Sequence, residues 1–153
     1  MKRILLVEDE LESRLIIQFM LEVLGCQVDC AHDGEVAVEM ACHRHYHCIL
    51  MDIGLPKLDG LKACKIIKQH QAQGRSCPLT PIVALTELMQ IEHLDDCLEA
   101  GMKTILFKPL QPRPVQRLVE SLHVVGATGN TQALKPRFSA RKWPAPSVGR
   151  LGL

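Results

Sequence analysis

No apolar run in these 153 residues approaches the length that crosses a bilayer, so no membrane partner is expected. The N-terminus passes from Met1-Lys2-Arg3 straight into a short strand-like run and an acidic pair, which does not read as a secretory signal. Seven cysteines are present, but none lie in a Cys-x-x-Cys spacing, and their number is odd. That argues against a disulfide framework and against a zinc ribbon. Cys48 and Cys64 fall in apolar patterns, where cysteine behaves as a small buried hydrophobe. A reducing, cytoplasmic setting is expected.

Acidic residues are missing altogether from 126–153, which carry Lys135, Arg137, Arg141, Lys142 and Arg150. The preceding part then holds thirteen basic and seventeen acidic residues, a net charge of minus four. A net acidic body disfavours nonspecific nucleic-acid binding, so nucleic acid is not an expected partner of the globular part. Beyond Gly126 no hydrophobic period survives, and Pro136, Pro144 and Pro146 break the stretch. We read residues 1–125 as the domain and 126–153 as a basic, Pro/Gly-containing disordered tail. The tail is too short for a winged-helix output domain; its functional alternative is a basic arm anchored at Arg141-Lys142-Trp143.

What is present is a series of short apolar runs, each ending in chemistry. Ile4 to Val7 ends in Glu8-Asp9, and Cys48 to Met51 ends in Asp52. Ile82 to Leu85 ends in Thr86, and Ile105 to Phe107 ends in Lys108-Pro109. Runs of this length read as buried strands. Gly54, Pro56 and Gly60 punctuate the loop after Asp52. Gln27–Ala31 supplies a further strand. Between the strands lie helical patterns: Glu12 to Leu24 with Gly25 as its stop, one opened by Asp33 and ending near His43, and one after Gly60. A fourth runs from about Gln90 to Ala100, stopped by Gly101, and a last one starts at Pro112 and Pro114 and ends near Val124.

Strands alternating with helices specify an α/β fold with a parallel sheet covered on both faces. The flavodoxin-like, doubly wound solution has five strands in the order 2-1-3-4-5, with its switch point between strands one and three. That order makes Glu8, Asp9 and Asp52 neighbours at the carboxyl edge, where open α/β folds place their chemistry.

In the first helix Ile16, Ile17, Met20, Leu21 and Leu24 share one face, the expected core side. Leu11, Leu15 and Phe19 form a second apolar stripe, either scattered surface residues or a docking face for a partner helix. In the third helix Leu61, Cys64, Ile66 and Ile67 point inward, and Gln69 to Ser76 reads as a polar loop. The cluster Cys42-His43-Arg44-His45-Tyr46-His47-Cys48 could hold zinc, nickel or copper. It precedes the Asp52 strand and so lies at the opposite edge of the sheet, and a polar helix-to-strand turn is the default reading.

The segments Ile4 to Glu10, Ile49 to Pro56 with Asp59-Gly60, Pro81 to Thr86, Cys97 to Met102 and Lys108-Pro109 resemble the receiver domain of two-component response regulators and hybrid sensor kinases. The likeness runs in order through residues 1 to about 123. It implies that Asp52 is a phosphoacceptor taking a phosphoryl group from phosphohistidine, with Thr86 and Lys108 as its catalytic and switching partners. It implies Mg²⁺ held by Asp9 and Asp52, by Glu8 directly or through a water, and by the backbone carbonyl of Gly54. It implies a histidine kinase or histidine-phosphotransfer protein as partner, met through the Leu11, Leu15 and Phe19 stripe, and it allows a homodimer. Such a module catalyses only its own phosphoryl transfer and dephosphorylation.

Three residues depart from the family pattern. Glu87 stands after the threonine where receivers usually carry a small residue. Ile105 occupies the position of the usual aromatic switch, and Gly54 offers no side chain to place water. A docking module independent of phosphorylation is therefore the alternative. An aspartyl phosphatase would need a second acid where Gly54 stands, a flavin protein would need a phosphate-cradling loop after the first strand, and a DNA-binding regulator lacks its domain.

Overall fold

The computed structural model describes residues 1–73, 79–87 and 94–122. The chain alternates β1 (Arg3–Val7), α1 (Leu11–Val23), β2 (Gln27–Ala31), α2 (Gly34–His43), β3 (Cys48–Asp52), α3 (Gly60–Ala72), β4 (Ile82–Glu87), α4 (Leu94–Glu99), β5 (Thr104–Lys108) and α5 (Pro112–Ser121). The strands form one parallel sheet in the order β2-β1-β3-β4-β5, as the sequence pattern predicts. β1 pairs with both β2 and β3, so the chain reverses direction across the sheet between β1 and β3.

Strand alternation sorts the core into two layers. Leu5, Val7, Ile49, Met51, Ile82 and Ala84 face α2, α3 and α4, where they meet Ala37, Ala63, Ile67 and Cys97. Ile4, Leu6, Leu50, Val83 and Leu85 face the other way, onto Ile17 and Leu21 of α1 and Val115 and Val119 of α5. Every residue of β3 is buried, as expected of the central strand of a sheet covered on both faces.

The helix ends follow the sequence signals. Gly25 (φ +80°) and Gly101 (φ +96°) adopt left-handed backbone. Behind them the amides of Cys26 and Met102 donate to the carbonyls of Leu21 and Cys97, each at 3.0 Å. These six-to-one bonds close α1 and α4 with a Schellman turn. Asp33 caps α2 by accepting the Val36 amide at 2.8 Å, and Asp59 caps α3 by accepting the Lys62 amide at 2.9 Å. Pro112 and Pro114 occupy the first turn of α5.

Several expectations need correction. Ile16 is 58% exposed rather than in the core. The buried stripe is Ile17, Met20, Leu21 and Leu24, and at 3.6 residues per turn Ile16 lies about 90° from its centre. α3 continues to Ala72, so the polar residues from Gln69 are its last turn, held inward by buried Gln71. Ile66 is half-buried. β4 extends through Glu87, and α5 ends at Ser121. The start of the fourth helix at Gln90, residues 74–76 of the polar stretch and the whole 126–153 segment lie outside the described residues.

Candidate functional site

The carboxyl edge of the sheet gathers four strand ends. Glu8 follows β1, Asp52 ends β3, and Thr86 and Lys108 lie at the ends of β4 and β5. Carboxylate oxygens of Glu8, Asp9 and Asp52 all lie within 4.8 Å of one another. Glu8 is 1% exposed and Asp52 7%, whereas Asp9 faces solvent. Among the described residues this is the one group of side chains placed to hold a metal ion.

Lys108 ties the cluster together. Its Nζ lies 2.7 Å from Asp52 Oδ2 and 2.5 Å from Glu8 Oε2. Burial pulls the pKa of this amine down, but its hydrogen bonds and charge interactions with Asp52 and Glu8 outweigh that and hold it above the ordinary lysine value. Burial raises the pKa of Glu8, with the Asp52 charge adding to the rise and Lys108 opposing it. The remaining oxygen sites are partly occupied. Asp52 Oδ1 accepts the Gly54 amide at 2.8 Å, and Glu8 accepts the Glu10 amide at 3.2 Å and the Ser13 hydroxyl at 3.1 Å.

The backbone explains why Asp52 can sit so close to a helix start. A methyl group on Gly60 would lie 2.1 Å from the carbonyl oxygen of Asp52, so only glycine lets α3 begin against the end of β3. Gly54 is exposed two residues beyond Asp52, in the loop between them. Thr86 is buried, and its hydroxyl donates to the Glu87 carbonyl at 3.3 Å. Glu87 is exposed and pairs in register with Lys108. Ile105 is half-buried and packs on the α3–α4 side of the sheet.

All six sequence-predicted site and metal positions therefore fall at one edge or, for Gly54, in the loop beside it. The separate stripe Leu11, Leu15 and Phe19 is 57%, 55% and 66% exposed, and Ile16 and Val23 extend it into a wider apolar face. The sequence reading missed Ser13 and Arg14. The Arg14 guanidinium donates to the carbonyls of Glu8 and Asp9 at 2.9 and 3.3 Å and so braces the acidic turn. A hydroxyl and a cation one turn into the helix after an acid pair was the available signal. The His/Cys cluster is a turn: His43 bonds its own helix at Glu39, His47 Nδ1 accepts the Arg3 amide, and Cys48 is fully buried with its thiol pushed up to about 12. The six described cysteines are free thiols.

The family model of the response regulator receiver domain matches residues 4–120, and the chain belongs to that family. A hybrid signal transduction histidine kinase of Dictyostelium discoideum is 33% identical over 118 residues, which are 77% of this chain and 11% of that protein. The receiver domain of sensor histidine kinase PA1611 from Pseudomonas aeruginosa, solved with a magnesium ion in its active-site cleft, is 38% identical. It superposes with a TM-score of 0.70, covering 79% of this chain and 96% of that one. The receiver domain of the Saccharomyces cerevisiae response regulator Ssk1, solved with the histidine phosphotransfer protein Ypd1, is 26% identical with a TM-score of 0.72; 79% of this chain and 88% of that chain are covered. The chain spans only 11% to 48% of the length of curated relatives such as the Dictyostelium kinase and a Cyanophora paradoxa regulator. Fold and family alike make it a two-component signalling domain.

Proposed function

We propose that Asp52 accepts a phosphoryl group from a phosphohistidine and that the chain thereby switches partner binding in a phosphorelay. The observation that carries this reading is the convergence of three carboxylates within 4.8 Å beside the Lys108 ammonium. Three carboxylates and one ammonium leave two net negative charges, and an all-oxygen donor set of that charge suits a hard divalent cation. Glu8, Asp9, Asp52 and the Gly54 carbonyl would hold Mg²⁺, with Glu8 acting directly or through a water. When bound, the ion offsets negative charge on the equatorial oxygens of the transferring group. The magnesium-bound Pseudomonas receiver supports this choice.

The chain's own residues then divide the work. An Asp52 oxygen is the nucleophile. Lys108, drawn off Asp52 and Glu8, neutralises phosphoryl charge. Thr86 turns its hydroxyl from the Glu87 carbonyl to the new phosphoryl oxygens and carries its loop with it, which makes the two-state element. The donor is a histidine kinase or a histidine-phosphotransfer protein seated on the Leu11, Leu15 and Phe19 face, a reading that the yeast complex supports. The same face could serve a homodimer. The receiver domain spans residues 1–125, and the module works in the cytoplasm without turning over a separate substrate. No described helix is long and apolar enough to cross a membrane.

A titration with Mg²⁺ and then beryllofluoride, followed by NMR beside an Asp52→Asn control, tests the reading. Saturable Mg²⁺-dependent beryllofluoride binding that shifts Thr86 and β5 and is lost in the variant is expected. Equal binding by Asp52→Asn would refute the assignment. Exposed Glu87 beside Lys108 favours a second reading, a docking module that acts without phosphorylation. Metal binding with no beryllofluoride response would select it.

A further inference from the structure

Strand alternation places Glu8, Asp52, Glu87 and Lys108 on one side of the sheet. They continue the series that turns Leu6, Leu50, Leu85 and Leu106 toward α1 and α5. A groove of about 500 Å³ opens on that side, and its lining includes Glu10, Glu12, Ile16, Glu87, Lys108 and Pro109. Three carboxylates thus line a groove that reaches Lys108, the partner of Asp52: two from the start of α1 and one from the last residue of β4. All three are exposed, and none is ion-paired with a described residue. Lys108, the one cation among the described lining residues, is already engaged by Glu8 and Asp52.

A phosphoryl donor is an anion, and as it nears Lys108 and Asp52 it meets the field of these carboxylates. Glu87 is the carboxylate that pairs in register with Lys108, and adjacent parallel strands lie only about 4.8 Å apart. Its charge therefore acts close to Lys108, across a groove whose lining includes the apolar Ile16, Ile17 and Leu110. Resting on the phosphoacceptor reading, we propose that Glu87, supported by Glu10 and Glu12, screens phosphoryl donors by charge. Small anionic donors are held off, and a phosphoryl group presented by a protein between lysine or arginine side chains is admitted.

The chemical step itself is unchanged by the screen. With phosphoramidate as donor, an Asp52 oxygen forms the new O–P bond as the N–P bond breaks. The N–P electron pair stays on the departing nitrogen, which takes a proton from water and leaves as ammonia. With acetyl phosphate the acetate oxygen leaves with the pair instead. Glu87 takes part in no bond and alters only the work of bringing the anion in.

The test measures initial rates of Asp52 phosphorylation by phosphoramidate and by acetyl phosphate at saturating Mg²⁺. It compares the wild type, Glu87→Gln, Glu87→Ala, Glu10→Gln and Asp52→Asn. Glu87→Gln keeps the size and removes the charge. It should label roughly threefold to tenfold faster than wild type at ~0.01 M salt, with the gain largely gone at ~1 M. Glu87→Ala should match it, Glu10→Gln should show a smaller gain of the same kind, and Asp52→Asn should remain unlabelled. If Glu87→Gln labels at the wild-type rate while Glu87→Ala labels faster, the residue acts by bulk and the screen is overturned. Equal rates in all three also overturn it. Beryllofluoride separates the two levels: if it binds and Glu87→Gln still gains nothing, only the screen falls. If it binds no variant, the phosphoacceptor reading falls with it.

Discussion

Nζ of Lys108, at the end of β5, lies 2.7 Å from Oδ2 of Asp52, so the amine reaches past β4 to the strand beyond it. The same nitrogen neutralises Glu8, which is almost wholly buried. Removing one cation from a buried set of carboxylates is strongly destabilising, because the remaining charges are left without compensation. Lys108→Met should therefore lower stability by about 3 kcal/mol in chelator. The same change strips a positive charge from beside the metal ligands, so Mg²⁺ should bind the variant more tightly than wild type and restore most of the loss. Thermal melts with and without Mg²⁺, together with a calorimetric titration, check both halves. Weaker Mg²⁺ binding by the variant would mean that Lys108 supports the ion rather than substituting for it.

Gly60 and Gly25 make opposite demands. At Gly60 an added methyl meets the Asp52 carbonyl oxygen at 2.1 Å, a backbone atom that cannot swing aside. Gly60→Ala should cost about 1–3 kcal/mol, the range for overpacking, and should weaken Mg²⁺ binding because the atom displaced belongs to the phosphoacceptor itself. At Gly25 nothing lies within 4 Å of the added methyl, and only its φ of +80° is at issue. Gly25→Ala should cost about 1 kcal/mol and leave Mg²⁺ binding alone. Denaturant melts and metal titrations on the two variants separate steric from conformational cost.

Tyr46 is the single tyrosine of the chain, so tyrosinate absorbance reports on it alone. Burial pushes its pKa up to about 12, and its hydroxyl donates to Asp29 at 2.9 Å. A folded-state pKa above the unfolded value near 10 stabilises the fold fully below about pH 10, and the contribution is lost as pH rises toward 12. The absorbance midpoint should lie near 12 or coincide with alkaline unfolding. In Tyr46→Phe the slope of stability between about pH 10 and 12 should flatten. A midpoint near 10 in the folded protein would contradict the burial of this side chain.

The sheet and its chemistry were legible because each site residue terminates an apolar run. Ile4 to Val7 and Cys48 to Met51 read as buried strands, and once paired in parallel they bring Glu8 beside Asp52. What stayed hidden depends on tertiary contact or on helix phase. Ser13 one turn after the acid pair was only a faint signal of its bond to Glu8, and nothing local says that the start of α3 will press on the Asp52 carbonyl. Ile16 was misplaced because it sits at the margin of a stripe, where only the docking angle of α1 decides between core and solvent. Gln69 to Ser76 looked like a loop because nearly all of its side chains are polar, but the helix continues to Ala72 and buries Gln71 against the Thr80 carbonyl.

The two faces of α1 give the last prediction. Ile17 is 3% exposed in the core shared with α5, and Phe19, two residues on, is 66% exposed. Ile17→Ala should cost about 2–5 kcal/mol, the range for emptying a core site. Phe19→Ala should change stability by no more than about 0.5 kcal/mol, since most of the side chain faces water. Yet Leu11, Leu15, Ile16, Phe19 and Val23 form a continuous apolar face that contributes little to the fold. The docking reading proposes that a partner covers it. Phe19→Ala and Leu15→Ala should consequently weaken binding to a phosphohistidine donor, or self-association, while Asp52 still binds beryllofluoride at the wild-type level. A Phe19→Ala variant that loses several kcal/mol of stability would place the residue in the fold instead and remove α1 as the docking helix.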